Sequence, residues 1–362
     1  MRILWITPGF AAGAHDVNCI PPLQLLARGL LRAGVDLHVI ALEYPFVSEP
    51  YRFTPLPVRA GDAAHPLQLY PCNGRNRRWL RWRTLARARA WARAILADHK
   101  FDAVHSFWLG PAWALGAQPA NRCQTPHWTT LMGQDVLPQN RYTQRIDARA
   151  AAGLIALTPF QQNVLEQTTG LPAGHCIPWG LDPEEARMEP AVPRTLDVLG
   201  VGSLLPVKDW ERWLRVLRQV ADRRPALRAE LIGAGPELGR LRALATALHL
   251  DGHIALTGEL PRPAVLARMR RSRVLLHTAR FESFGMVLAE AAANGCRVVS
   301  TPVGAAPQLG SCADTDETLA AAVVKALEAP VPAPETPVFR IEDTVSAYLQ
   351  LYRVNEDRFP EK

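Results

Sequence analysis

The sequence predicts an α/β protein of two domains, each organised on a parallel β-sheet. Three observations carry this. The chain has 362 residues, more than one hydrophobic core ordinarily supports. Short apolar runs of strand length alternate with longer runs of helical periodicity, the pattern of repeated β-α-β units. The alternation halts at a proline-bearing stretch, 184–195, and then starts again. The expected division is an N-terminal domain over 1–186, a linker over 187–195, a second α/β domain over 196–335 and a final helical segment over 336–362.

Arg2–Thr7 reads as a short buried strand, Pro8–Asn18 as a Gly/Ala loop, and LQLLARGLLRAG as a helix stopped by Gly34. LHVIALE follows as the next strand, which makes the start a β-α-β unit with a parallel sheet. The loop PGFAAGAHD lies at the carboxyl end of the first strand, where open α/β sheets place ligands. Its glycines do not follow GxGxxG, which argues against a nicotinamide site. Asp16 in that loop is a candidate to orient an acceptor hydroxyl; charge compensation at a helix N-terminus is an equal alternative.

Tyr44–Gly74 is proline-rich and irregular, with one strand expected over Leu67–Tyr70. RNRRWLRWRTLARARAWARAIL then reads as a helix from Trp79. Eight arginines and no acid lie between Arg75 and Arg93, more than the whole formal net charge of +7, so the basicity is local. Arg81, Arg83, Arg87, Arg89 and Arg93 fall all round the wheel at about 100° per residue, which favours a solvated, partly packed helix. Membrane contact is the second reading, since arginines near an anionic lipid surface contribute roughly 1 kcal/mol each.

DAVHS, His127–Met132 and Gly153–Thr158 read as further strands, and CIPWGLD closes the first half. His105 and Asp135 are expected at strand ends on the ligand-facing edge and are candidates for the acceptor side. A packed structural histidine is the plainer alternative for His105. After the linker come LDVLGVG, RAELIGAG and HIALTG as strands separated by helices, the last helix of this set covering Pro261–Arg271. In GSLLPVKDW a strand ends at Gly202, and Lys208 stands just before the next helix, placed to hold a diphosphate as a point charge.

FESFGMVLAE, residues 281–290, is the most informative stretch. A buried-strand pattern, VLLHTAR, precedes it and Arg297–Thr301 follows as another strand, giving a strand-loop-helix-strand unit. The helix start at Phe284, Gly285 and Met286 presents backbone N–H groups without helical acceptors and the positive end of the dipole, which is an anion site. Glu282 before the helix and Glu290 within it can both face one ligand, and carboxylates accept hydrogen bonds from sugar hydroxyls. An anion cradle between two such acceptors describes a nucleotide sugar.

Composition narrows the classes. Hydrophobic residues are 48% and charged residues 21% of the chain, as in a folded soluble protein rather than a disordered one. No apolar run reaches the ~18 residues of a membrane span. MRILWITPGF lacks a signal-peptide pattern. Six cysteines lie singly, without a CxxC pair, which fits buried thiols in a reducing cytosol better than a disulfide frame or a zinc site. Asp314 and Asp316 form a DTD triplet that could suggest a divalent metal, but it leads into ETLAAAVVKAL, so helix capping is the better account. The expected location is cytoplasmic, with the cytoplasmic face of a membrane as the second reading.

At this point the second half resembles the retaining glycosyltransferases of family 4, which have the GT-B fold of two facing Rossmann-like domains. ESFGMVLAE matches that family's E-x7-E motif, implying that Glu282 contacts the donor sugar and Glu290 the nucleotide ribose. GSLLPVKD is similar to its phosphate loop G-R-L-x-x-x-K-G, with Lys208 on the motif lysine and Ser203 replacing the arginine. IPWGLD is similar to IPNGVD, and DAVHS with MGQD resemble DVVHxH and HGxD; the histidine of the latter is Met132 here. The resemblance further implies that the last helix crosses back onto the N-terminal domain and that the loop at Leu260 meets the base. Its donor site would comprise Gly202, Ser203, Lys208, Leu260, Glu282, Phe284, Gly285, Met286 and Glu290, with Lys208 and Glu282 at the chemistry.

The activity so implied is transfer of a hexose from a nucleoside diphosphate sugar to a hydroxyl, with retention, without metal or other cofactor, in polysaccharide, lipopolysaccharide or glycolipid synthesis. Its partners would be the nucleotide sugar and a carbohydrate or lipid-linked acceptor, and not nucleic acid. The sequence offers no protein nucleophile. Three rivals are weighed against it. A glycosidase also uses two carboxylates. A nucleotide-sugar epimerase shares the fold, but its Thr-Glu-Arg-Pro segment has no counterpart. A non-enzymatic binder of anionic lipid or nucleic acid through Arg75–Arg93 leaves the carboxylate pair unexplained.

Overall fold

The computed structural model describes residues 1–10, 20–42, 58–61, 66–72, 81–183, 192–330 and 337–353. It divides into two compact units, Met1–Gly180 with Ile341–Lys362, and Leu181–Arg340.

The first unit carries β1 (Arg2–Thr7), α1 (Pro21–Arg32), β2 (Asp36–Ala41), β3 (Val58–Gly61), β4 (Pro66–Pro71), α2 (Arg81–Asp98), β5 (Ala103–Phe107), α3 (Pro111–Cys123), β6 (His127–Thr130), α4 (Ala148–Ala152), β7 (Leu154–Ala156), α5 (Pro159–Thr169) and β8 (His175–Cys176). Its sheet runs β3-β4-β2-β1-β5-β6-β7-β8. Every pair is parallel except β3 with β4, which is antiparallel. The segment expected to hold one strand therefore holds two, and the sheet is not wholly parallel. VRAG offers too few β-formers to be read as a strand, and its pairing with β4 supplies what local propensity lacks. Ile3–Ile6 of β1 are fully buried, as expected for a central parallel strand covered on both faces.

Helix α2 seats a stripe of Thr84, Ala88, Ala92 and Ile95 toward the core, at helical spacing. Its apolar members join Leu4, Tyr70, Phe101 and Val104. The small side chains allow close approach, and the arginines are left to the remaining faces.

The second unit carries β9 (Leu196–Val201), α6 (Trp210–Arg223), β10 (Ala229–Ile232), α7 (Leu238–Ala247), β11 (Ile254–Gly258), α8 (Arg262–Arg271), β12 (Ser272–His277), α9 (Met286–Ala293), β13 (Arg297–Ser300), α10 (Ala306–Leu309), β14 (Gly310–Cys312) and α11 (Asp316–Glu328). The order β11-β10-β9-β12-β13-β14 is parallel throughout. Trp210, Trp213, Leu214 and Leu217 of α6 share a core with Leu319, Val323 and Leu327 of α11. The DTD triplet opens α11, as expected. Thr315 is the cap, exchanging hydrogen bonds with Thr318, and Asp316 in the first turn pairs with Arg212 and Arg215, each at 2.8 Å.

The last helix, α12 (Ile341–Arg353), belongs to the first unit, as the resemblance implies. It approaches α1 so closely that a Cβ on Gly29 would lie 2.3 Å from Val345. Its Thr344 hydroxyl donates to the Pro178 carbonyl at 2.9 Å.

Candidate functional site

In the second unit the chain leaves β9 for β10 on one side and returns to β12 on the other. The carboxyl ends of β9 and β12 thus flank the switch point of the sheet, the position where open α/β sheets bind ligands. Two loops rise from these ends, 202–209 and 278–285, and they are tied together. The Arg280 N–H donates to the Val207 carbonyl at 2.8 Å. The Thr278 hydroxyl donates to the Asp209 carbonyl at 2.9 Å, and Arg280 Nε donates to Asp209 Oδ2 at 2.9 Å. Gly202, at φ 155°, makes the turn out of β9. The Ser203 carbonyl accepts from the buried Trp210 indole at 2.9 Å.

This bracing sets Lys208 against Glu282. The Lys208 ammonium donates to Glu282 Oε1, and His277 Nε2, at the end of β12, meets the same oxygen at 3.1 Å. Both contacts fall on Oε1, and neither involves Oε2. Burial by itself would raise the Glu282 carboxyl. Hydrogen bonding and charge from His277 and Lys208 outweigh it and hold the pKa down to about 2. The ionised form therefore stabilises the fold fully above the ordinary value of 4.5, and this contribution is lost as pH falls toward about 2. Glu282→Gln is expected to flatten the pH dependence of unfolding across that interval, read by urea titration at fixed pH values.

Helix α9 begins at Met286, with Gly285 at φ 83° as its cap, a left-handed conformation that suits glycine. The Phe284 carbonyl accepts from the Ala305 N–H at 2.8 Å. Gly304 lies so close that a Cβ there would be 2.4 Å from that carbonyl. Glu290, on the fifth residue of α9, is buried and meets Arg262 Nη1 at 2.9 Å. Arg262 opens α8, just after Leu260, which packs half-buried on the neighbouring core. The structure thus gathers Gly202, Ser203, Lys208, Glu282, Phe284, Gly285, Met286, Leu260 and Glu290 within one unit.

The residues expected on the acceptor side fare differently. Asp16 lies outside the described residues. His105 is not at a strand end: it is the middle residue of β5, fully buried. Its Nδ1 bonds the Tyr352 hydroxyl at 2.6 Å and its Nε2 the Thr130 hydroxyl at 2.9 Å. Trp5 Nε1 can only donate, and it donates to the Tyr352 oxygen at 3.2 Å. Both ring nitrogens of His105 are thus engaged within the core. Burial, with a smaller contribution from nearby His127, lowers its pKa well below the usual histidine value. A neutral ring with both nitrogens engaged has nothing left for a ligand.

Asp135 stands in the loop after β6, near that strand's carboxyl end, and is buried. Its Oδ2 accepts from the N–H groups of Leu109 at 2.8 Å and Met132 at 3.2 Å, and its Oδ1 from Gly133 at 2.9 Å. Burial raises its pKa to about 6 against those three donors. It braces two loops. Asp135→Asn puts an NH2 group where an acceptor is needed, with an expected cost of about 1–3 kcal/mol, measurable by urea denaturation.

Sequence reasoning missed His277, Arg262 and the Asp209–Arg280 tie. His277 had a signal: it is the polar residue that ends the apolar run Val274–Leu276. Arg262 had none, since its role depends on where α8 and α9 meet. Among the described residues, no group of three His, Cys, Asp or Glu side chains is placed to hold a metal ion, and no helix is long and apolar enough to cross a membrane.

A family model described as Glycosyltransferase Family 4 matches residues 23–185, and one described as Glycosyl transferases group 1 matches residues 183–328. The chain belongs to the family 4 glycosyltransferases. Among relatives of this glycosyltransferase, the phosphatidylinositol N-acetylglucosaminyltransferase gpi3 subunit of Schizosaccharomyces pombe is 28% identical over 114 residues, 32% of this chain and 25% of that one. D-inositol 3-phosphate glycosyltransferase of Corynebacterium jeikeium is 30% identical over 132 residues, 34% of this chain and 32% of that one. These matches span only a quarter to a third of the relatives' length. Among solved structures, sucrose-phosphate synthase of Thermosynechococcus elongatus gives a TM-score of 0.75 at 16% identity, covering 99% of this chain and 100% of that one. HepE of Anabaena in complex with UDP gives 0.63 at 18%, covering 98% and 96%. At such identities the likeness is one of fold, and the fold is GT-B.

Proposed function

We propose that this glycosyltransferase moves a hexose from a nucleoside diphosphate sugar to a hydroxyl acceptor, with retention of anomeric configuration, in polysaccharide, lipopolysaccharide or glycolipid synthesis. The observation that carries the reading is the pairing of Lys208 with Glu282 at the switch point of the second sheet, in the loop that leads into the start of α9, whose Glu290 meets Arg262. In this reading Lys208 and the amides at Phe284–Met286 stabilise charge on the leaving diphosphate. Glu282 accepts from sugar hydroxyls and Glu290 from the ribose. Gly202 and Ser203 line the phosphates, and Leu260 meets the base. The UDP complex of HepE supports a nucleotide ligand for this fold.

The test is a thermal-shift screen of nucleoside diphosphates and their sugars. A ligand at 100 times its dissociation constant adds about 2.7 kcal/mol of stability, and Glu290→Gln should abolish most of the shift. An unchanged shift would remove the ribose role. No metal is invoked, so product formation should survive EDTA; loss of activity restored by a divalent ion would overturn that part.

Peripheral contact with the cytoplasmic face of a membrane belongs to the same reading. On α2, Trp82 is 64% exposed, Arg83 lies over its ring at 5.3 Å, and Arg89 and Arg93 are exposed with no acid before Asp98. An indole beside cations suits an anionic lipid surface. Replacing Arg83, Arg89 and Arg93 by glutamine is expected to reduce sedimentation with phosphatidylglycerol vesicles; equal sedimentation would reject the contact.

A further inference from the structure

We propose that Trp108 is a stacking platform for a pyranose ring, and that this platform receives the acceptor; the second clause rests on the transfer reading above. In the first sheet the chain runs from β1 to β2 on one side and to β5 on the other, so β1 and β5 flank its switch point. Trp108 is the first residue beyond β5.

Its backbone stands at φ 80°, a left-handed conformation that costs a bulky residue roughly 1–2 kcal/mol. The residue is 38% exposed, between Phe107 and Leu109, which are buried. Strain and exposure of an indole both work against folding, and such residues are held in place where a function needs them.

The surroundings over-determine this conformation. The Trp108 N–H donates to the Thr130 carbonyl at 2.9 Å. The next residue is held at both ends: Leu109 N–H donates to Asp135 Oδ2 at 2.8 Å, and its carbonyl accepts from Asn140 Nδ2 at 2.8 Å. Asp135 also fixes Gly133, and a Cβ on Gly133 would already stand at contact distance, 3.4 Å, from Trp108 Cζ2. The indole therefore rests on the Gly133 loop and keeps part of its surface exposed. The buried carboxylate of Asp135, read from sequence as an acceptor contact, serves instead to position Trp108.

The chemistry of that surface favours a sugar. The indole face carries negative quadrupolar charge, and the C–H groups on one face of a pyranose present a flat, weakly positive counterpart. Gln134 and Gln139 of the same loop are exposed, a polar rim suited to hydroxyls. A lipid chain would require a continuous apolar groove, and neither glutamine supplies one.

The test uses the full chain labelled with 5-fluorotryptophan, with the Trp108 19F resonance assigned through Trp108→Phe. Methyl glycosides of glucose, galactose, mannose and N-acetylglucosamine are titrated. At least one is expected to shift the Trp108 resonance saturably and leave that of exposed Trp82 in place. If none moves it, or if Trp82 moves equally, the platform is overturned. Trp108→Gly suits the left-handed backbone and should fold at least as well. It is expected to lose at least tenfold in affinity for that glycoside, by saturation-transfer NMR, while the thermal shift with UDP stays unchanged. Retained glycoside affinity would overturn the proposal. A wild-type chain that binds the glycoside but neither UDP nor another nucleoside diphosphate would count against the donor reading alone.

Discussion

Lys208→Ala is expected to lower glycosyl transfer by roughly 10²–10³-fold, the loss typical of removing one group that stabilises transition-state charge. It should also destabilise the second unit, because Glu282 is nearly buried and shares Oε1 between Lys208 and His277. Breaking a buried ion pair by removing one partner costs about 3–5 kcal/mol, and the residual exposure of both side chains, 18% and 13%, places this pair at or below the lower end. The pairing makes a double-mutant cycle informative. Lys208→Ala combined with Glu282→Gln removes both charges, so its loss of stability should be smaller than the sum of the two single losses, while transfer stays low. Additive stability effects would show that the two side chains do not sense each other. Transfer within tenfold of wild type in Lys208→Ala would remove the lysine from the chemistry.

The second large effect is expected in the first unit. Trp5, Tyr352, His105, Thr130 and Tyr348 form one continuous chain of buried hydrogen bonds, closed by the 2.7 Å contact between the Thr130 and Tyr348 hydroxyls. Tyr352→Phe deletes the oxygen that both Trp5 and His105 use. Two buried polar groups then lack partners, at about 1–3 kcal/mol each, so a loss of roughly 2–5 kcal/mol is expected. Because the protein has two units, a single unfolding transition is not assumed. Hydrogen exchange resolves the effect: protection should fall in β1, β5 and α12 and remain unchanged in β9–β13. Uniform protection across both units, or a loss under 1 kcal/mol, would show that the network contributes little. Neutral His105 also explains why this cluster tolerates burial, since its low pKa keeps charge out of the core.

These two sites differ in how much of them the sequence reveals. The alternation of strands and helices and the place of Lys208, Glu282 and Glu290 along it follow from short-range pattern. FESFGMVLAE specifies its own strand-loop-helix junction, and a helix start carries its unpaired N–H groups wherever it is placed. Glycine at 285 is likewise a local statement, since the left-handed turn demands it. The reading failed where a residue's role is set by a distant element. His105 was a reasonable ligand-edge candidate until α12, some 240 residues later, brought Tyr352 and Tyr348 onto it. Asp135 gave the same misleading signal, because nothing in MGQD shows that three backbone donors will converge on the carboxylate. β3 was missed because its stability resides in pairing with β4.

The sequence by itself determined that this chain forms two α/β units on largely parallel sheets and that one of them bears a helix start between two carboxylates, since hydrophobic period and helix-end chemistry are properties of neighbouring residues. Tertiary structure alone decided which oxygen of Glu282 meets Lys208 and His277, that Arg262 holds Glu290, that His105 is locked in the core, and that Trp108 is strained outward at a sheet's switch point. Those outcomes depend on side chains brought within 3 Å or so of each other by packing of remote elements, and a hydrogen bond at that range leaves no periodic trace along the chain.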